Sequence, residues 1–326
     1  FGRRLDVDMI VTAVRIGQKV AGPAKVIWTR EEDIRHDTLR PLYRNMMSAT
    51  LDGGRIAGWK HRVIAGSVAL RMYGRGPVKG VDGGSVDGAT DKPYDIPNWQ
   101  VEYTQAEPRA VNLGWWRGVG PNNNVFAIES FVDELAIAAK KDPIDFRLAM
   151  LDKEPRLANC LRLVRDKSNW DKPLAGRAGR GVGIQNSFGS FMATVAEVEV
   201  DKNGDLKVRR YTCVVDCGAV VNPDTVRAQV MGGIIFGLSA ALYGDITVER
   251  GRIQQSNFHD YRMVRIHEAP PVDVHIITNN EKPGGIGEPG TTAAIPCLAN
   301  AIADATGIRL RKMPIDRDIL AGRKKA

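Results

Sequence analysis

The sequence predicts an α+β (mixed α/β) fold, and three observations carry that prediction. Stretches whose apolar residues recur every three or four positions interleave with stretches that alternate apolar and polar. Two pairs of alternating stretches flank turns built from Asp, Gly, Asn and Lys, the mark of hairpins. No internal repeat sets a longer period. At 326 residues, with 43% hydrophobic and 26% charged side chains, the chain can bury a sizeable core and lacks the composition of a disordered one.

The elements follow in order. Asp8, Met9, Ile10, Val11, Ala13, Val14, Ile16 and Gly17 give a helical stripe that Gly22-Pro23 ends, and Lys25-Val26-Ile27-Trp28-Thr29-Arg30 reads as a strand. Residues 45–51 and 56–65 form a hairpin about Asp52-Gly53-Gly54. Residues 71–98 are rich in Gly, Pro and Asp with weak periodicity and read as a long loop, a frequent cover of functional sites. A strand over 101–104 leads to Gly114-Trp115-Trp116-Arg117-Gly118-Val119-Gly120-Pro121. Asn122, Asn123 and Asn124 then offer capping side chains to a helix carrying Val125, Ile128, Phe131, Val132, Leu135 and Ala139. That helix stops near Lys140-Lys141-Asp142-Pro143, and 144–151 and 157–164 read as two more.

The Gly- and Arg-rich stretch 176–183 reads as a linker between two α/β units, 1–175 and 176–326. In the second unit, 194–200 and 206–215 form a hairpin about Asp201-Lys202-Asn203-Gly204-Asp205. Residues 225–243 are a glycine-broken buried helix and 272–278 a strand. The loop 283–290 runs into a helix bearing Ala293, Ala294, Leu298, Ala301, Ile302 and Ala305, ended by Gly307.

Composition removes several function classes. The net charge is +8, but the basic residues are scattered, and the one dense cluster, Arg323-Lys324-Lys325, is a solvated tail. Nucleic-acid binding needs a patch rather than a sum, so no nucleic-acid partner is expected. Cys160, Cys213, Cys217 and Cys297 contain no CxxC pair and read as small core residues. The five histidines lack HxxxH or HExxH spacing, so no side-chain metal site is expected. The most apolar stretch, 230–243, is too short to cross a bilayer.

Chemistry concentrates at three glycine-rich turns: Phe1-Gly2, Arg117-Gly118-Val119-Gly120 and Gly284-Gly285-Ile286-Gly287-Glu288-Pro289-Gly290. The last two run into helices, whose first N–H groups make natural anion sites, and glycine lets a ligand approach the main chain. Neither matches a nucleotide-binding glycine pattern. Glu288 sits among glycines with little nearby charge, as suits a proton acceptor, although a helix-start carboxylate would read the same way. Arg117, between Trp116 and Gly118, suits planar recognition of a phosphate or a polar ring, or is a plain surface cation.

These residues carry a resemblance. Arg117-Gly118-Val119-Gly120 with the run Asn124 to Ala136 resembles the xanthine dehydrogenase/aldehyde oxidase family of molybdenum hydroxylases. So do Ala196-Glu197-Val198-Glu199-Val200, Val215-Asp216-Cys217-Gly218 with Val221-Asn222-Pro223-Asp224, and Gly287-Glu288-Pro289-Gly290. Phe1-Gly2-Arg3-Arg4 is similar to the end of that family's glycine-rich Phe-Gly segment. The order of motifs most resembles the large (beta) subunit of isoquinoline 1-oxidoreductase and related membrane-linked aldehyde dehydrogenases.

The resemblance implies a molybdenum–molybdopterin cytosine dinucleotide cofactor whose metal is held by the pterin dithiolene and small ligands, with no protein ligand. It implies that Phe1, Gly2, Arg117, Gly118, Val119, Gly120 and Gly287 cradle the cofactor. Glu288 would take the proton from a molybdenum-bound hydroxyl during hydroxylation of an aldehyde or N-heterocycle carbon with water. Trp115 and Trp116 are candidates for a substrate funnel, with core packing the simpler reading. Electrons would leave through [2Fe-2S] clusters on a partner subunit, because four cysteines cannot supply the eight thiolates that two clusters need. A cytochrome c is a further candidate acceptor. The family's upstream Gly-Gln-Gly segment has no counterpart here, so the chain is expected to be the C-terminal portion of a larger subunit. It would then need the N-terminal portion, or a separate chain, to complete the site. The alternative is a catalytically inactive scaffold or assembly fragment. Export signals common among the resembling subunits make a periplasmic or membrane-associated location the expectation over a cytoplasmic one.

Overall fold

The computed structural model describes residues 1–108 and 111–325. A 3₁₀ turn at Gly2–Leu5 leads into helices α1 (Asp8–Gly17) and α2 (Arg30–His36). The hairpin of β1 (Tyr43–Asp52) and β2 (Arg55–Ala65) follows, then short helices α3 (Val68–Tyr73) and α4 (Gly83–Val86), and strand β3 (Asn98–Gln105). Helices α5 (Val119–Ala138), α6 (Pro143–Leu148) and α7 (Pro155–Lys167) precede strands β4 (Ala178–Ser187), β5 (Ser190–Val200) and β6 (Leu206–Asp216). Helix α8 (Pro223–Tyr243), a small hairpin of β7 (Val248–Glu249) and β8 (Arg252–Ile253), strand β9 (Val272–Ile276), and helices α9 (Pro289–Thr306) and α10 (Arg317–Leu320) complete the order.

Two larger sheets result, β1-β2-β3 and β4-β5-β6-β9, each antiparallel at first and closed by a parallel last pair. This is the mixed α+β architecture that the periodicities predict. The four-stranded sheet is covered on both faces, by α7 on one side and by α8 and α9 on the other. Strand β5 shows why: Ala193 and Val195 enter the apolar cluster of α5, α6 and α7, while Met192, Ala196 and Val198 enter that of α8 and α9. A strand buried on both faces reads as an almost continuous apolar run. The first of these clusters joins Leu135, Phe146 and Leu161 to Val182 and Ile184, so packing is continuous across residue 175.

The structure departs from the sequence expectations at four places. The stretch 176–183 lies mostly in β4 rather than in a linker. Its glycines admit α9: a Cβ on Gly181 would lie 2.1 Å from the Ala301 nitrogen and 2.3 Å from the Cys297 oxygen. Residues 25–29 join no sheet among the described residues. Thr29 instead caps α2, its hydroxyl accepting from the Glu32 N–H at 3.2 Å. Residues 71–98 contain α4 and the buried side chains of Val86, Tyr94 and Ile96, which anchor a loop-like composition into the core. Finally, α5 starts at Val119 with Gly118 as its N-cap, so Asn122, Asn123 and Asn124 fall inside the helix.

Candidate active site

The site is built where the N-termini of α5 and α9 meet. Gly118, the N-cap of α5 directly after Arg117, holds φ at +102°, a conformation that L side chains rarely adopt. The three asparagines pin the turn instead of capping it. Asn122 Nδ2 donates to the Arg117 carbonyl at 2.6 Å, Asn123 Nδ2 to the Val119 carbonyl at 3.3 Å, and Asn124 Nδ2 to the Ser85 and Asp87 carbonyls at 2.9 and 2.8 Å. On the other side Glu288 occupies the N-cap position of α9, with Pro289 opening the helix and the Thr291 N–H donating to the Glu288 carbonyl at 2.9 Å.

Glu288 Oε1 accepts from the Gly118 N–H at 3.2 Å, which places a half-buried carboxylate against the positive end of a 20-residue helix. Its second oxygen makes no hydrogen bond among the described residues. Arg117 closes the arrangement. Its Nε and Nη2 both donate to the Gly287 carbonyl, at 2.8 and 2.5 Å, and Nη2 also reaches Gln229 Oε1 at 3.1 Å. The guanidinium lies 4.2 Å from the centre of the Phe1 ring. Burial lowers the Arg117 pKa, and the Glu288 charge acts against that shift.

All three glycine-rich turns therefore meet: Phe1, Arg117, Gly118, Gly287 and Glu288 form one cluster. The other candidates stand apart from it. Gly2 packs on Trp115, where a Cβ would come within 2.1 Å of the Trp115 Cβ, and Gly120 packs on the Gly84 carbonyl. Val119 turns its N–H inward to the Trp116 carbonyl at 2.8 Å. Trp115 is wedged between Gly2 and Gly84, and Trp116 stacks on Phe236 with the Arg40 guanidinium 4.9 Å from its ring. Both tryptophans thus have packing partners. Arg117 spends its fork on protein carbonyls, so it tethers the Glu288 loop rather than offering an open planar receptor.

Sequence reading missed Gln229. Its only signal is an amide next to the long apolar run that begins at Val230 in α8. It also missed a set of buried polar atoms without partners: Asn122 Oδ1, Thr291 Oγ1 and Thr292 Oγ1, on the first turns of α5 and α9. The Thr292 hydroxyl lies 2.8 Å from where a Cβ on Gly118 would stand. Leaving such atoms unanswered costs about 1–3 kcal/mol each; the two hydroxyls can donate to an oxygen-bearing group, whereas Asn122 Oδ1 needs a donor. The Thr291 and Thr292 hydroxyls, at the start of α9, are donors free to meet an anion there. A cleft of about 560 Å³ borders α5 at Asn122 and Asn123 and is also walled by Arg40, Arg44, Phe126 and Ser130; Glu288 is not among its walls.

Residues 1–151 and 164–270 each match a family model described as a molybdopterin cofactor-binding domain. Glu288 lies beyond both matched stretches. Isoquinoline 1-oxidoreductase subunit beta of Brevundimonas diminuta is 35% identical over 335 residues, covering 100% of this chain and 42% of that protein. The membrane-bound aldehyde dehydrogenase (pyrroloquinoline-quinone) of Gluconacetobacter polyoxogenes is 32% identical over 355 residues, covering 99% of this chain and 45% of that one. The chain thus spans less than half the length of these relatives. Among solved structures, quinoline 2-oxidoreductase from Pseudomonas putida 86 superposes with a TM-score of 0.75 at 12% identity, over 90% of this chain and 63% of that one. CO dehydrogenase from Oligotropha carboxidovorans gives 0.77 at 13%, over 96% and 65%. At such identities the likeness is one of fold.

Proposed function

The chain belongs to the molybdenum hydroxylase family, and from that premise we propose that it carries the base and part of the cofactor cradle of a molybdenum-dependent oxidoreductase. The reaction is hydroxylation of an aldehyde or N-heterocycle carbon with oxygen from water. The observation that carries the reading is the meeting of Glu288 with the Gly118 N–H at 3.2 Å, across 170 residues of sequence. When bound, a molybdenum–molybdopterin cytosine dinucleotide supplies the two-electron oxidation. The unanswered Thr291 and Thr292 hydroxyls and the N-terminus of α9 fit such an anionic, oxygen-rich group, and Asn122 Oδ1 is left to accept from a donor on it. Phe1, Gly118 and Gly287, which border Glu288, are the residues to hold it, with Arg117 tethering their loop and Gly2, Val119 and Gly120 packed behind.

Each residue then has a task. The Gly118 N–H fixes one oxygen of Glu288, and the other, free of partners, takes the proton that the water-derived hydroxyl must lose. Arg117 holds the carbonyl just before Glu288, so the loop cannot swing the base away. Phe1 supports that guanidinium from below. Because Trp115 and Trp116 are engaged in packing, their role is to shape the wall rather than to select substrate.

The same reading assigns electron transfer to [2Fe-2S] clusters on a partner subunit, with a cytochrome c as a further acceptor. All four cysteines here are buried and unpaired. It treats 1–175 and 176–326 as two molybdopterin-binding units and expects the N-terminal portion of the same subunit, or a separate chain, to complete the site. A periplasmic or membrane-associated location accords with the relative named as membrane-bound. Helix α8 is apolar and long enough to span a bilayer, but half of it is buried here, and it carries Gln229 to the site.

The test is Glu288→Gln in the complete complex. Molybdenum content should stay near that of the unaltered complex while turnover falls at least about 100-fold, the usual scale of general-base catalysis. Retention of more than about a tenth of the rate overturns the assignment of the base. Absence of molybdenum from the unaltered complex, under cofactor-replete expression, favours the scaffold reading instead.

A further inference from the structure

Glu288 is held from two sides by α5 and the turn before it: by the Gly118 N–H, and through the Arg117 fork on the Gly287 carbonyl. A third hold comes from the β4–β5 hairpin. Its two-residue tip, Phe188 and Gly189, joins Ser187 to Ser190 with φ of +54° and +75°. Positive φ at both central positions is the hairpin geometry that favours Asn-Gly, and a bulky residue adopts it at a cost. Such strain persists only where the surroundings fix it. Here the Phe188 carbonyl accepts from the Gly285 N–H at 2.7 Å, and Ser190 Oγ donates to the Gly285 carbonyl at 2.8 Å. A Cβ on Gly284 would stand 2.3 Å from the Gly189 oxygen, so the loop lies flush on the tip.

Gln185, in β4, is 2% exposed. Its Nε2 donates to the Pro289 carbonyl at 3.1 Å. The Ser187 hydroxyl donates to its Oε1 at 2.8 Å, which sets the orientation of the amide. The Pro289 carbonyl lies in the first turn of α9, where a helix answers its own carbonyls. This buried amide therefore adds position and does not relieve an orphan. Ser190, Arg117 and Gln185 together hold the carbonyls of residues 285, 287 and 289, and Gln185 is the hold that follows Glu288.

We infer that Gln185 is a positioning residue for Glu288. Backed by the Phe188-Gly189 tip, it fixes the residue after the carboxylate as Arg117 fixes the residue before it, and so keeps that carboxylate on the Gly118 N–H. A backbone pinned on both sides of one residue leaves its side chain few directions. Precision matters there, because misplacing a reacting group by about 1 Å can cost about 100-fold in rate. The effect on turnover rests on the reading of Glu288 as the base; the hold on its carboxylate does not.

The test is Gln185→Met in the complete complex, which keeps the side chain's length and removes its donor. Hydrogen–deuterium exchange at the Gly118 amide should quicken about tenfold or more, the worth of a hydrogen bond to a charged group, while amides 298–303 in α9 keep their rates. Turnover per bound molybdenum (kcat) should fall about 10–100-fold with KM changed less than about threefold, since alignment is lost and binding is not. Ser190→Ala, which frees only the Gly285 carbonyl, should act in the same direction and less. Unchanged exchange at Gly118 in both variants overturns the inference. So does equal quickening throughout α9, or loss of molybdenum in step with activity, either of which leaves Gln185 a structural role alone. Glu288→Gln, measured beside them, separates this inference from the proposed function. If that variant keeps its rate while Gly118 exchange quickens in Gln185→Met, the base assignment falls and the positioning stands. If it loses its rate while Gln185→Met keeps both kcat and Gly118 protection, only the positioning falls.

Discussion

Replacing Arg147 with methionine probes the most deeply buried charge pair in the molecule. Arg147 is 0% and Glu129 1% exposed, and their Nε–Oε2 distance is 2.9 Å. Glu129 also accepts from the Tyr94 hydroxyl at 2.6 Å and the Ile184 N–H at 3.0 Å, while Arg147 donates to the Glu129 and Pro143 carbonyls, each at 3.0 Å. Burial works against the guanidinium charge, but Glu129, Tyr94 and Asp133 outweigh it and raise the Arg147 pKa. Arg147→Met leaves the Glu129 carboxylate with only neutral donors and takes a donor from the Glu129 and Pro143 carbonyls. Breaking such a pair costs about 3–5 kcal/mol. With roughly 2–4 °C per kcal/mol for a chain of this order of size, the melting temperature should drop by about 6–20 °C. Adding Glu129→Gln removes the uncompensated charge, so the double variant should be more stable than the two single losses sum to, by about 2 kcal/mol or more. Urea unfolding of all four proteins measures the cycle. A loss below about 1 kcal/mol for Arg147→Met, or strict additivity, would refute the claim that this pair fastens α5 to α6 and β4.

Three further outcomes follow from the same geometry. Gly118→Ala forces a Cβ to 2.8 Å from the Thr292 hydroxyl at φ +102°, so it should cost about 1–3 kcal/mol and lower molybdenum occupancy in the complete complex, read by unfolding and metal analysis. Gly181→Ala drives a Cβ into the backbone of α9 and should cost about 3 kcal/mol or more, whereas Gly17→Ala, with open space around it, should be neutral or gain up to about 1 kcal/mol; thermal melts compare them. Burial holds the His61 pKa down to about 4. The unfolded chain therefore takes up a proton that the fold refuses as pH falls below about 6.5, and stability present above that pH declines by about 2 kcal/mol on reaching pH 5. His61→Gln should flatten the urea midpoint between pH 7 and 5.

Legibility in the sequence followed locality. Helix α1, the β1–β2 hairpin, and the β5–β6 hairpin around Asp201 to Asp205 were readable because side-chain period and turn chemistry act over a few residues. The stretch 25–29 has a strand's pattern but no neighbouring strand among the described residues, and a strand exists only by pairing. The glycines of 176–183 read as flexibility, yet Gly181 is there to admit α9, a partner 120 residues away. Asn122 to Asn124 have capping chemistry, but Gly118 turned the chain first and left them to pin the turn.

The amino-acid order by itself determined the kinds of element, the three glycine-rich bends, and the acid placed in the last of them. It named Glu288, Arg117 and Gly118 without telling how they meet. Only the tertiary structure decided that the Gly118 N–H holds the Glu288 carboxylate, that Arg117 spends its fork on Gly287 and Gln229, and that Trp115 and Trp116 are packed. The reason is physical. Backbone preference and amphipathic period are set by near neighbours, whereas the meeting of two helix ends 170 residues apart depends on how closely α9 can lie on a glycine-lined strand and against α5.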